Sequence, residues 1–142
     1  MYQEVQGHRR VPERTRMLIA QETTARELLI SARQIADQPP IDKLAFWPRG
    51  AALLARHSLE VAVKRYWTAN VPGVEQTPMR TQLECLGCSL SNDALGDRAH
   101  HVWRVLSRAS HPHRPNVTPS RKELLSWFDT VQDVIDATEG SW

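Results

Sequence analysis

The sequence predicts an all-α fold, a bundle of four long helices and one short one, on three observations. Glycine is sparse, at six of 142 residues. Alternating β-branched segments are absent. Proline and glycine punctuation falls in clusters about twenty to thirty residues apart, the pattern of helices on short connections.

The elements follow in order. A first helix is expected from about Pro12 to Ala36, where Leu18, Ala25, Leu28, Leu29, Ala32 and Ile35 form an apolar stripe and Gln38-Pro39-Pro40 stops it. The second begins near Pro48, a proline suited to a first turn, and runs through Ala55, Leu59, Ala62, Val63, Tyr66 and Trp67 to Asn70. Val71-Pro72-Gly73 is the turn beyond it. Thr77-Pro78 reads as the cap and first-turn proline of a short third helix that Gly87 closes. A fourth starts at Asn92 or Asp93 and runs to about Ser110, because Pro112 pushes the residue before it away from helical dihedrals. The fifth opens at Thr118-Pro119 and packs through Leu124, Phe128, Val131 and Ile135 to Gly140. Residues 1–11 read as a flexible basic arm and residues 12–142 as a single helical domain, without internal repeats.

Composition narrows the function. With 41% hydrophobic and 24% charged residues the chain can fill one modest core, so a disordered protein is excluded. No segment approaches the roughly 18 apolar residues of a membrane span, and no signal peptide opens the chain. A cytoplasmic protein without membrane contact is expected. Two cysteines exclude a disulfide framework. The net charge of +2 predicts no partner, but the choice of base is informative. Only Lys43, Lys64 and Lys122 are lysines, and every other basic residue is arginine, whose forked donors suit phosphate. Gly-rich phosphate loops, a nucleophile elbow and paired catalytic carboxylates are absent, which leaves nucleotide hydrolysis, serine-type hydrolysis and glycoside chemistry without support.

The fourth helix carries the most chemistry. At the standard helical pitch Leu95, Ala99, Val102, Leu106 and Ala109 share one narrow arc, and Asp97, His101, Arg104, Arg108 and His111 lie opposite, within about 80°. This Arg/His stripe, with one carboxylate to orient it, runs into the turn His111-Pro112-His113-Arg114-Pro115. Arginine holds a phosphodiester bidentately and stabilises charge that grows on it. Histidine exchanges a proton near neutrality. Together they suffice to cleave RNA without metal or cofactor: imidazole deprotonates the 2′-hydroxyl and guanidinium stabilises the phosphorane. A structural role is the other reading, in which these side chains complement the helix dipole and cap its carbonyls.

Arg104 is followed by six residues and His111, and Arg108 by four and His113. This resembles the Arg-x4–6-His motif of the HEPN superfamily, small all-α proteins with the motif at the end of a late helix. The resemblance implies a metal-independent endoribonuclease, acting as a homodimer with two motifs facing one cleft, in toxin–antitoxin, phage-defence or RNA-processing systems. It implies a phosphate-binding arginine at Arg104 or Arg108 and a proton-transferring histidine at His111 or His113. Family members without activity imply the alternative, a silent module that assembles with a protein partner. A polar residue commonly follows the family's arginine, whereas Val105 and Ala109 do here, and Pro112 interrupts the segment. The stretch LSRASHPHRPNVTPSRKELLSWF is also similar to one in small helical proteins of actinobacteria, which implies that the histidine turn and Thr118-Pro119 form one structural unit.

Three further features of the sequence bear on function. On the second helix Arg49, Arg56, Glu60 and Lys64 form a charged face, from which Glu60 is placed to pair with Arg104 or Arg108. Cys85-Leu86-Gly87-Cys88 has the spacing of half a zinc site, but the adjacent His100 and His101 lack the spread of two further ligands, so no metal is expected. Of five tryptophans, Trp67, Trp103 and Trp127 read as core or interface anchors. Trp47 and Trp142 read as surface aromatics for stacking on bases or meeting a partner.

Overall fold

A computed structural model describes residues 23–38, 47–111 and 118–140. These residues form an all-helical bundle of five α-helices: α1 (Ala25–Asp37), α2 (Trp47–Asn70), α3 (Met79–Ser89), α4 (Asp93–Ala109) and α5 (Arg121–Glu139), with a 3-10 turn at Val74–Gln76. No strand occurs among the described residues, as the sparse glycine and absent alternation predict. None of the described helices is long and apolar enough to cross a membrane.

Local chemistry sets the ends of the helices and corrects three of the expected boundaries. The first helix does not run through from Pro12. Thr24 is extended, with ψ 160°, and forms a capping box: its hydroxyl accepts from the Glu27 amide at 3.2 Å, and its own amide donates to the Glu27 carboxylate at 3.2 Å. A start signal that satisfies two amide donors at once opens the helix at Ala25. Residues 1–22, including the expected basic arm, lie outside the described residues. Ser120 likewise caps α5 reciprocally with Glu123, so that helix starts beyond the expected Thr118-Pro119.

The third correction concerns Gly87, which does not end α3. That helix continues to Ser89 and closes on a Schellman turn, in which the Asn92 amide donates to the Gly87 carbonyl (2.9 Å) and the Ser91 amide to the Cys88 carbonyl (3.2 Å). Ser91 takes the left-handed position, φ 54°, where glycine is the usual residue. The Asn92 side chain then accepts from the Leu95 amide and caps α4, so one residue closes one helix and opens the next. Gly87 serves packing instead. A Cβ on Gly96 would lie 2.6 Å from the Gly87 Cα, which means that α3 and α4 touch backbone to backbone.

α2 is the central element and packs on all four other helices. Its Ala51, Ala52, Ala55, Leu59, Ala62 and Val63 are buried, and around them close Leu29, Leu83, Leu86, Leu106, Leu124, Phe128 and Ile135. Burying each such Leu, Ile or Phe contributes about 1.5–3 kcal/mol, whereas an exposed ion pair contributes roughly 0–1 kcal/mol. The core therefore stabilises the bundle, and the ion pairs fix how its helices are aligned. Arg26 pairs with Asp136 and Glu139, Arg33 with Asp129, and Arg121 with Asp37 and the Ala36 carbonyl. Partners rise along α1 as they fall along α5, so these helices run antiparallel.

Candidate nucleic-acid interface on α4

The two faces of α4 fall where helical periodicity puts them. Leu95, Ala99, Val102, Leu106 and Ala109 are buried, and Asp97, His101, Arg104, Arg108 and His111 are exposed. The helix ends on Ser110, whose amide donates to the Leu106 carbonyl and whose hydroxyl donates to the Ser107 carbonyl. The His111 amide donates to the Arg108 carbonyl at 3.2 Å, which keeps His111 against the last turn. His113, Pro112 and Trp142 lie outside the described residues.

Pairing separates the arginines of this molecule. Arg26, Arg33, Arg56, Arg80, Arg98 and Arg121 each meet a carboxylate within ion-pair distance. Arg104 and Arg108 meet none among the described residues, and Asp97, on the same face, pairs with neither them nor His101. The orienting role expected for Asp97 is thus not what the side chain does. One turn apart, the two guanidiniums sit on backbone positions separated by about 6 Å of helical rise, a spacing comparable with neighbouring phosphates of one strand.

Beneath this face α2 holds α4 through polar contacts that the sequence reading assigned otherwise. Glu60 does not reach Arg104 or Arg108. Its carboxylate accepts from the Trp103 indole (3.1 Å) and lies 3.6 Å from Arg56 Nε, while Arg56 Nη1 donates to the Ser110 hydroxyl at 3.3 Å. The physical reason is side-chain direction: Trp103 lies between the buried arc of α4 and its exposed stripe and faces α2, whereas Arg104 and Arg108 point away from it. Trp67 is buried and donates to the Gln82 carbonyl, and Trp127 packs half-buried on the core. Trp47, expected at the surface, also packs half-buried against the core.

The structure adds neighbours to Arg104 that no single-helix pattern contained. Arg80 of α3 joins His100, Trp103 and Arg104 of α4 around a cleft of about 200 Å³. The His100 and Trp103 rings lie 6.4 Å apart, the outcome of a three-residue spacing on one helix. That spacing was visible in the sequence; the arrival of Arg80 was not, because it depends on the Gly87–Gly96 contact. Cys85 and Cys88 are exposed free thiols on α3. Among the described residues no three His, Cys, Asp or Glu side chains converge in a geometry that would hold a metal ion. On this face guanidinium groups can bind an anion and imidazole can transfer a proton. Comparison of the chain with protein-family models, with curated proteins and with solved structures finds no match.

Proposed function

We propose that the exposed face of α4 binds the phosphodiester backbone of RNA and cleaves it without a metal, as the resemblance to the HEPN superfamily implies. The observation that carries this reading is that Arg104 and Arg108, the two motif arginines, form no ion pair among the described residues while six other arginines do. A guanidinium already held by a carboxylate must give up that partner to bind phosphate; among the described residues these two have none to give up.

In the proposed reaction one guanidinium holds the scissile phosphate. His111 or His113 takes the proton from the 2′-hydroxyl, and the 2′-oxygen attacks phosphorus. As the 5′-oxygen leaves it takes a proton from an imidazolium. The products are a 2′,3′-cyclic phosphate and a 5′-hydroxyl. A second copy docked over this face would supply the acid from its own motif, so the proposed enzyme is a homodimer, and its setting a toxin–antitoxin or anti-phage system.

End-labelled RNA incubated with the purified protein in EDTA tests the reading. Cyclic-phosphate ends are expected from the wild type. In His111→Ala, or in His113→Ala if His113 is the residue that transfers the proton, they fall by about 10²–10⁴-fold. Arg104→Ala falls comparably, or Arg108→Ala if Arg108 holds the phosphate. Intact RNA from a folded wild type overturns the ribonuclease reading and leaves a silent module whose Arg face meets a protein partner.

A further inference from the structure

Two clefts lie between α3 and α4 and meet at His100. One, of about 200 Å³, is the Arg80–Trp103–Arg104 cleft; the other, of about 370 Å³, is edged by the carboxylates of Glu84, Asp93 and Asp97. The two together reach the scale of small-molecule sites, roughly 300–1,000 Å³. Gly87 and Gly96, touching at the floor of the wider part, allow the helices to come this close.

Charge along the groove is polarised. Arg104 stands at one end beside Arg80, whose guanidinium is paired with Glu84 (3.1 Å), and Asp93 and Asp97 stand at the other, with an indole and an imidazole on the basic side. The indole is held from behind: Trp103 donates to Glu60, and Glu60 lies beside Arg56. A ring fixed in this way loses little freedom when a ligand stacks on it, which favours binding.

We propose that this groove is a subsite for one nucleotide, with the phosphate on Arg104, unpaired among the described residues, and taking the place of Glu84 on Arg80, the base against Trp103 and His100, and the base edge turned toward Asp97. A nucleic-acid strand threading through the groove would drive its next phosphate toward Asp93 and Asp97, so only a single base enters and the backbone turns along α4 toward Arg108. A base that presents an exocyclic amino group, such as cytosine, donates to the carboxylates. Uracil turns carbonyl oxygens toward them and is disfavoured. This inference rests on the RNA reading for the strand that leads into the groove, and it adds base preference at that site.

Calorimetric titration of the full chain in EDTA with cytidine 5′-monophosphate, uridine 5′-monophosphate and inorganic phosphate tests it. The cytidine nucleotide is expected to bind about tenfold more tightly than the uridine one, the effect of one hydrogen bond gained and one repulsion avoided. Inorganic phosphate, which cannot stack, is expected to be weakest. Arg80→Glu should weaken cytidine-nucleotide binding at least about tenfold with the fold retained, since the exposed Arg80–Glu84 pair that it breaks contributes little to stability. Asp97→Ala should abolish the cytidine preference. Cytidine nucleotide binding no tighter than phosphate, or unchanged binding in Arg80→Glu, overturns the proposal. RNA cleavage that is unaltered in rate and base preference by Arg80→Glu overturns the groove and spares the proposed reaction. Base-selective nucleotide binding beside intact RNA keeps the groove and overturns the reaction.

Discussion

Arginines line two faces of this bundle, and the contrast between them separates structural from available charge. Along the α1–α5 seam Arg26 and Arg33 meet Asp136, Glu139 and Asp129, and on the neighbouring flank Arg98 of α4 meets Asp133. On the outer face of α4, Arg104 and Arg108 meet no carboxylate among the described residues. The residue type is the same; the difference is the partner helix. α5 presents Asp129, Asp133 and Asp136 at spacings of four and three, an acidic stripe that faces the arginines of α1 and α4. Nothing among the described residues faces the outer side of α4 with carboxylates, so its guanidiniums keep their capacity for an external anion.

The comparison can be broken most severely from below. Phe128 is fully buried under the seam, with the Arg33 guanidinium 5.8 Å from its ring centroid. Phe128→Ala should cost about 3–5 kcal/mol by denaturant unfolding, and a loss below about 1 kcal/mol would mean that the seam does not lie over the core. Next in size is Gly96→Ala. Its Cβ would meet the Gly87 backbone, not a side chain that can move aside, so overpacking of about 1–3 kcal/mol is expected, along with a widened α3–α4 groove. An unchanged melting curve would contradict the backbone contact.

The seam itself should yield a small number. A double-mutant cycle on Arg33 and Asp129 should give a coupling of about 0.2–1 kcal/mol that shrinks as salt rises. Changing pH near neutrality will not expose the Arg26 cluster. Hydrogen bonds to Glu139 and then Asp136 hold the Arg26 guanidinium above its ordinary value. A raised cationic group contributes stability that is complete below its unfolded pKa and lost only as pH climbs through the folded one. For an arginine that window lies at extreme alkalinity, and salt is the practical lever. The smallest effect is expected on the open face, where Arg104→Ala and Arg108→Ala should change stability by less than about 0.5 kcal/mol. A larger loss in either variant would make that arginine structural and remove the contrast.

Much of this was legible from residue patterns. The buried arc Leu95, Ala99, Val102, Leu106, Ala109 and the exposed stripe opposite follow from helical period alone, because a helix with one apolar side has one way to face a core. The cap at Asn92 was equally plain, since a short polar side chain next to an apolar-periodic run satisfies free amides. At two places residue identity does not predict role. Glycine after an apolar run commonly ends a helix, but at Gly87 the missing Cβ matters for contact with another helix, and Ser91 carries the left-handed turn. The apolar period that begins at Leu18 persists across Thr24, a cap that only the Thr24–Glu27 exchange reveals.

The sequence by itself determined the helical class, the buried and exposed sides of α4, and the spacing of Arg104 and Arg108 along its exposed stripe. These are local properties, set by period, capping chemistry and spacing along one chain segment. Tertiary structure alone decided which arginines are held across helices, that Glu60 fixes Trp103 instead of Arg104, and that Arg80 arrives beside His100. Each of those depends on which helix packs against which and how closely. A pair such as Arg26 and Asp136 is separated by 110 residues and becomes a neighbour only when the core closes.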